Sequence, residues 1–167
     1  MNGDQRRLEI LQSLQLAESA ISANQFARQF GVSRQVIVGD VALLRAQGHN
    51  INATGKGYII NHSNSLKLER IIAVNHPPEQ TRNELELLVS LGVIIRDVTV
   101  EHPVYGEITG QLNIASVQDI DDFLNNDVTL LSSLTDGIHL HTILCDNDAH
   151  YNKVIEALDH ANLRYSN

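Results

Sequence analysis

Two helix-start signals, Ser22 and Ser33, stand eleven residues apart with a single glycine, Gly31, just before the second, and this spacing leaves few backbone paths between them. Ser22 precedes Gln25 by three residues, the spacing in which a hydroxyl and an amide side chain satisfy the unpaired N–H groups of a first helical turn; Ile21 and Phe26 flank it at the positions that clamp a helix entry. The pattern predicts a helix over residues 22–30 that stops at Gly31, which takes the left-handed conformation a helix end needs. Ser33 restarts the chain as an N-cap, and Val32 and Ile37 repeat the clamp. Val36, Ile37, Val41 and Leu44 form one apolar stripe of the second helix and leave Arg34, Gln35, Val38 and Arg45 outside it. After Gly48, residues 51–60 read as two short strands around a Gly-Lys-Gly tip that carries Lys56. Helix, four-residue turn, second helix and wing make a winged helix-turn-helix, a motif that lays its second helix in a DNA major groove.

Charge divides the chain at a matching place. Residues 1–62 hold six cations (Arg6, Arg7, Arg28, Arg34, Arg45, Lys56) against four acids (Asp4, Glu9, Glu18, Asp40); of the overall −8 they contribute +2, and residues 63–167 contribute −10. Only the first part can offer phosphates a cationic surface. A length of 167 residues is near that of one typical domain, but the charge break and the polar run at residues 61–65 argue for two. The expected domains are residues 1–62, which bind DNA, and residues 66–167, whose acidic surface repels DNA and which sense something or dimerise. No charged-apolar-small leader opens the chain, no apolar run approaches about 20 residues, and Cys145 has no second cysteine to pair with. The expectation is a soluble, cytoplasmic protein with no membrane partner.

Strand and helix signals alternate in the second part. Residues 68–74, 93–101, 107–114 and 137–145 read as strands, residues 79–91, 117–126 and 150–161 as helices, and residues 163–165 as a last short strand. The order β-α-β-β-α-β with an extra helix predicts a two-layer open-faced sandwich, a mostly antiparallel sheet with helices on one face, as in ferredoxin-like folds. The fold class of the whole chain is therefore α+β.

The candidate chemistry of this sandwich concentrates in four residues with metal-ligand side chains, His76, Glu84, His139 and His141. Side chains at i and i+2 of a strand share a face, so His139 and His141 project together, about 6.6 Å apart along the strand. Glu84 lies within about 40° of Leu88 on its helix and beside Leu85, at the border of the buried stripe, where unpaired acids are rare. His76 precedes Pro77-Pro78, a rigid entry to the same helix. Three imidazoles and one carboxylate suit nickel, zinc, iron(II) or manganese(II) better than calcium or magnesium. The other reading is a solvated His-Leu-His strand face and a helix-margin acid paired with Arg82 or Arg96; the 55 residues between Glu84 and His139 carry no distance information.

Arg34-Gln35-Val36-Ile37-Val38 with Asp40, Leu43-Leu44-Arg45-Ala46, Gly57-Tyr58-Ile59, Glu101-His102-Pro103-Val104-Tyr105-Gly106, and the run from Leu134 through Asp136-Gly137 to His141 resemble the niacin-responsive transcriptional repressor family over nearly the whole chain. The resemblance implies a homodimer in which a winged helix-turn-helix precedes a regulatory domain named for three histidines. It further implies nicotinic acid as co-repressor for genes of niacin uptake and NAD biosynthesis, no enzyme activity, and one transition-metal ion per chain. Nickel or zinc is the first expectation for that ion, with iron or manganese as others. The matching positions are His76, Glu84, His139 and His141. Arg34 and Gln35 are expected on base edges of operator DNA, with Ser33, Arg45 and Lys56 on phosphates. His102 and Tyr105 either line the ligand pocket or form a tight turn between strands. Gly39 departs from the family, which carries a longer polar residue there, usually Gln. Alternatives are a metal-dependent regulator that answers NAD or nicotinamide, and a metallohydrolase, against which stands the lack of a His-Glu-x-x-His helix.

Overall fold

In a computed structural model the described residues are 1–60, 67–125 and 130–166. The chain divides into two compact units, Met1–Asn64 and Ser65–Asn167. The polar run at residues 61–65 lies outside the described residues, as does the last residue, Asn126, of the helix expected over 117–126.

The first unit starts with a helix that sequence reasoning left unassigned. α1 (Gly3–Leu16) opens on a reciprocal capping box, in which Asn2 accepts from the Gln5 N–H and the Gln5 side chain accepts from the Asn2 N–H, and it buries Ile10 and Leu14. α2 (Ala23–Phe30) is capped by Ser22, whose hydroxyl accepts from Gln25 N–H, and ends at Gly31 with φ 64°. α3 (Arg34–Ala46) is capped by Ser33 and buries Ile37, Asp40, Val41 and Leu44. Val36, expected on that stripe, is 38 % exposed. It stands on the first turn of α3, where the buried residues 37, 41 and 44 follow one another at helical spacing and residue 36 is turned about 100° from the first of them. β1 (Ile51–Thr54) and β2 (Gly57–Ile60) pair antiparallel, with Thr54 opposite Gly57. Tyr58 exchanges backbone hydrogen bonds with Ile21, which ties the wing to the start of α2. The approach is so close there that a Cβ on Gly57 would stand 2.4 Å from the Ile21 carbonyl oxygen. The apolar residues of α1, α2, α3 and the hairpin share one core around Phe26.

The second unit is built on four antiparallel strands in the order β5-β4-β6-β3: β3 (Leu68–Asn75), β4 (Ile94–His102), β5 (Gly106–Ile114) and β6 (Ile138–Cys145). The last strand in sequence is thus inserted between the first and the second. α4 (Thr81–Ser90), preceded by a 3₁₀ turn over Pro78–Gln80, α5 (Val117–Leu124) and α6 (Asp148–His160) supply the second layer. Their buried residues Leu85, Leu88, Ile120, Val154 and Leu158 pack with Ile72, Val74, Ile95, Ile114 and Ile143 of the strands. The expected short strand at residues 163–165 is a single bridge, Val74 to Arg164, at the free edge of β3.

Candidate functional site

Strand alternation and one register bring the histidines together. Val74 pairs with His139 and Ile72 with His141, so the two histidines of β6 share the helix-covered face with the apolar residues of β3, and His76 continues that face beyond the end of β3. His76, Glu84, His139 and His141 are 3 %, 0 %, 4 % and 3 % exposed, which removes the solvated-face reading. The rings of His76 and His139 lie 4.9 Å apart and those of His139 and His141 4.8 Å apart, each pair nearly perpendicular. Glu84 enters from α4: Oε2 meets Nε2 of His76 and, at 3.3 Å, Nε2 of His139. Its Oε1 is 2.7 Å from Nε2 of His141. That last pair is within ion-pair distance but is not aligned for a hydrogen bond, so both atoms are buried without a hydrogen-bond partner. Arg82 and Arg96, the alternative partners for Glu84, pair instead with Glu86 and Asp121, and with Glu69 and Asp97.

The far side of each ring decides its chemistry. His76 Nδ1 lies 2.9 Å from the Pro77 carbonyl, His139 Nδ1 2.8 Å from that of Gly137, and His141 Nδ1 2.8 Å from that of Asp97. A carbonyl oxygen can only accept, so all three Nδ1 atoms carry the proton. In the neutral rings every Nε2 then turns a lone pair toward a carboxylate, an arrangement that repels unless positive charge stands between them. Protons can supply that charge. Burial opposes ionisation, yet the charge of His141 and the contacts of all three rings hold the Glu84 carboxyl well below its ordinary range. Against the same burial, the Glu84 carboxylate draws the His76 and His141 imidazoles upward. A metal ion can supply it equally: His76, Glu84 and His139 present ligand atoms within 4.8 Å of one another. Nδ1 held by backbone and Nε2 left to coordinate is the usual outer arrangement of a metal-bound histidine.

Sequence reasoning missed three supports of this cluster. Gly137, φ 92°, is one: a Cβ there would meet the His76 carbonyl oxygen at 2.4 Å, while its own carbonyl holds His139. A bulge in β4 between Ile95 and Asp97 turns the Asp97 carbonyl to His141 and lets the buried Asp97 carboxylate accept from Thr142 N–H at 3.1 Å. The third is the Pro77 carbonyl, set by the rigid Pro77-Pro78 entry. Beside the cluster lies a cavity of about 190 Å³, walled by Leu85, Val98, Leu112, Phe123 and Leu131 among others.

His102 and Tyr105 are not on the wall of that cavity. They form the tip of the β4–β5 hairpin, where His102 Nδ1 accepts from the N–H groups of Val104 (3.1 Å) and Tyr105 (3.3 Å), and Tyr105 is 75 % exposed. Pairing of His102 with Gly106 closes the hairpin, which is the tight-turn geometry of the two readings.

In the first unit, Ser33 Oγ accepts from Val36 N–H at 3.3 Å, and Arg34 and Gln35 are exposed on the first turn of α3 and Arg45 on its last. Lys56 is exposed at the wing tip, its N–H held by Thr54 Oγ1 at 3.1 Å. Two of the counted cations are committed elsewhere: Arg6 and Arg7 pair with buried Asp40 at 2.5 and 3.2 Å.

The HTH domain family matches residues 6–59, and the 3H domain family matches residues 69–167. "Transcription repressor NadR" of Bacillus subtilis (strain 168) is 36% identical over 168 residues, which cover 96% of this chain and 93% of its own. "Probable transcription repressor NiaR" of Thermotoga maritima is 39% identical over 159 residues, covering 92% and 90%. Both are named as regulators, which sets the hydrolase alternative aside. Among the described residues no helix is long and apolar enough to cross a membrane. The chain belongs to the family of NadR and NiaR transcription repressors, in which an HTH domain precedes a 3H domain.

Proposed function

We propose that this protein is a cytoplasmic, homodimeric repressor of niacin uptake and NAD biosynthesis genes, with nicotinic acid as co-repressor and one transition-metal ion per chain in the sensor. One observation carries the reading: three buried imidazoles, each with Nδ1 committed to a backbone carbonyl, converge through Nε2 on a single buried carboxylate. His76, His139 and His141 through Nε2, and Glu84 through its carboxylate, would hold the ion. The donor set favours nickel or zinc and also accommodates iron(II) or manganese(II). When bound, a divalent ion supplies a local net charge of about +1 after Glu84 is counted, the complement of a monocarboxylate.

The cavity supports a small aromatic acid. At about 190 Å³ it compares with the roughly 150 Å³ of an apolar cavity that takes benzene, so one ring with a small substituent fits within it. Leu85, Val98, Leu112 and Phe123 provide an apolar slot for a ring, and among the described residues no Arg or Lys lines the wall to meet an acid's charge.

Residues 1–62 act as the DNA-binding domain and residues 66–167 as the sensor. Arg34 and Gln35 read base edges, and Ser33, Arg45 and Lys56 hold phosphates, in a dimer whose two recognition helices meet major-groove faces about 34 Å apart on a palindromic operator. Nicotinate favours the arrangement that fits DNA, with a coupling of about 1–3 kcal/mol. Gel-shift titration of operator DNA with and without nicotinic acid tests this. The expected outcome is roughly 5- to 150-fold tighter binding with the acid; equal affinity removes the co-repressor role.

A further inference from the structure

We propose that Thr81 positions the polar head of the effector: its hydroxyl forms the hydrogen bond that orients a small carboxylate beside the histidine cluster. The proposal rests on the niacin-responsive reading above. Thr81 opens α4 one turn before Glu84, lines the cavity and is 8 % exposed. Among the described residues its Oγ1 has no hydrogen-bond partner.

The usual outlet for a helical threonine is closed here. Its hydroxyl ordinarily bonds the carbonyl three or four residues back. The carbonyl four back belongs to Pro77, and it already accepts from His76 Nδ1–H at 2.9 Å and from Gln80 N–H at 3.0 Å. The carbonyl three back, of Pro78, takes the N–H of Thr81 itself. Both lone pairs of the Pro77 oxygen are thus in use, and the same His76 contact that fixes a ring of the cluster deprives Thr81 of its acceptor. A buried hydroxyl without a partner lowers stability, whereas valine would fill the same volume without that cost. No described residue supplies that partner, and the cavity beside the hydroxyl is where a ligand would supply it.

The wall narrows the chemistry of that partner. Apart from the cluster, its polar residues among those described are Thr81, Gln111 and Ser132, all uncharged. Residues three apart on a helix stand about 5–6 Å from one another at Cβ. A carboxylate on an aromatic ring spans such a gap, one oxygen toward the cluster at Glu84 and the other accepting from the Thr81 O–H, while the ring lies along Leu85 and Phe123.

The experiment uses the full-length, metal-loaded protein as wild type, Thr81→Val and Thr81→Ser. Bound metal is measured by elemental analysis, nicotinate affinity by calorimetry, and unfolding temperature without nicotinate. Thr81→Val is expected to keep its metal, to unfold no lower than wild type, and to lose about tenfold or more in nicotinate affinity. Thr81→Ser, which restores the hydroxyl, is expected to recover most of that affinity. Nicotinate binding to Thr81→Val as tight as to wild type overturns the proposal and leaves the niacin reading standing. Unfolding of Thr81→Val several degrees lower, with affinity not restored by serine, overturns it in favour of a packing role. A wild-type chain that takes up no nicotinate overturns the niacin reading itself, and this proposal with it.

Discussion

Each unit buries one helical carboxylate, and the two are compensated in opposite ways. Asp40, 4 % exposed on α3, is met by Arg6 and Arg7, whose guanidiniums carry their charge at any pH the fold experiences. Glu84, fully buried on α4, is met by three imidazoles whose free nitrogens bear lone pairs once Nδ1 has been given to backbone. The first carboxylate closes a self-sufficient ion pair that pins α1 to α3. The second is short of permanent positive charge, which protons on the imidazoles or a metal ion can supply. A buried acid facing arginines reads as architecture; a buried acid facing titratable, metal-ligating histidines reads as a candidate site.

Removal of each charge should separate the two roles. Glu84→Gln keeps the shape of the side chain and deletes its charge, so metal retention is expected to fall by more than about a hundredfold, beyond the 10- to 100-fold typical of outer-shell changes. Chelator competition with elemental analysis reads this. Retention of a stoichiometric ion by Glu84→Gln would break the contrast, because Glu84 would then be no more a ligand than Asp40 is. Asp40→Ala is the opposite case. It leaves Arg6 without its carboxylate and Arg7 with Asp4 alone, and is expected to lower the midpoint of denaturant unfolding. Metal content is expected to be unchanged.

The same contrast explains what was legible in the sequence. Ser22, Gly31, Ser33 and the 51–60 hairpin announce themselves through contacts between near neighbours, and their elements fall where local spacing puts them. α1 carries an equally local signal, the Asn2–Gln5 box, but only Ile10 and Leu14 are buried on it, too short an apolar stripe to stand out. Histidine alternation on β6 was readable, as was the odd placement of Glu84. Their meeting was not, because it depends on the insertion of β6 between β3 and β4, a pairing across the sequence that no short-range pattern encodes. Asp97, Gly137 and the Pro77 carbonyl were hidden for the same reason: each acts through a backbone oxygen whose direction only the folded sheet sets.

The smallest expected effect concerns the first unit, where Gly39 stands inside α3 and is exposed. A glycine in a helix is often kept because a side chain would collide with something, but a Cβ at Gly39 meets nothing within 4 Å. Its φ is not positive, so no left-handed backbone requires it either. Packing therefore gives no reason for the departure from the longer residue of the family, and the helix bears the full propensity cost. Gly39→Ala is expected to stabilise the chain by about 1 kcal/mol in thermal or denaturant unfolding. Gly39→Gln should stabilise it slightly less and, in operator titrations, change affinity through contact with DNA and not through folding. A destabilised Gly39→Ala would show that α3 needs its glycine for a reason internal to the unit. Stabilisation of both variants with a change in operator preference only for Gln would place that reason at the DNA surface.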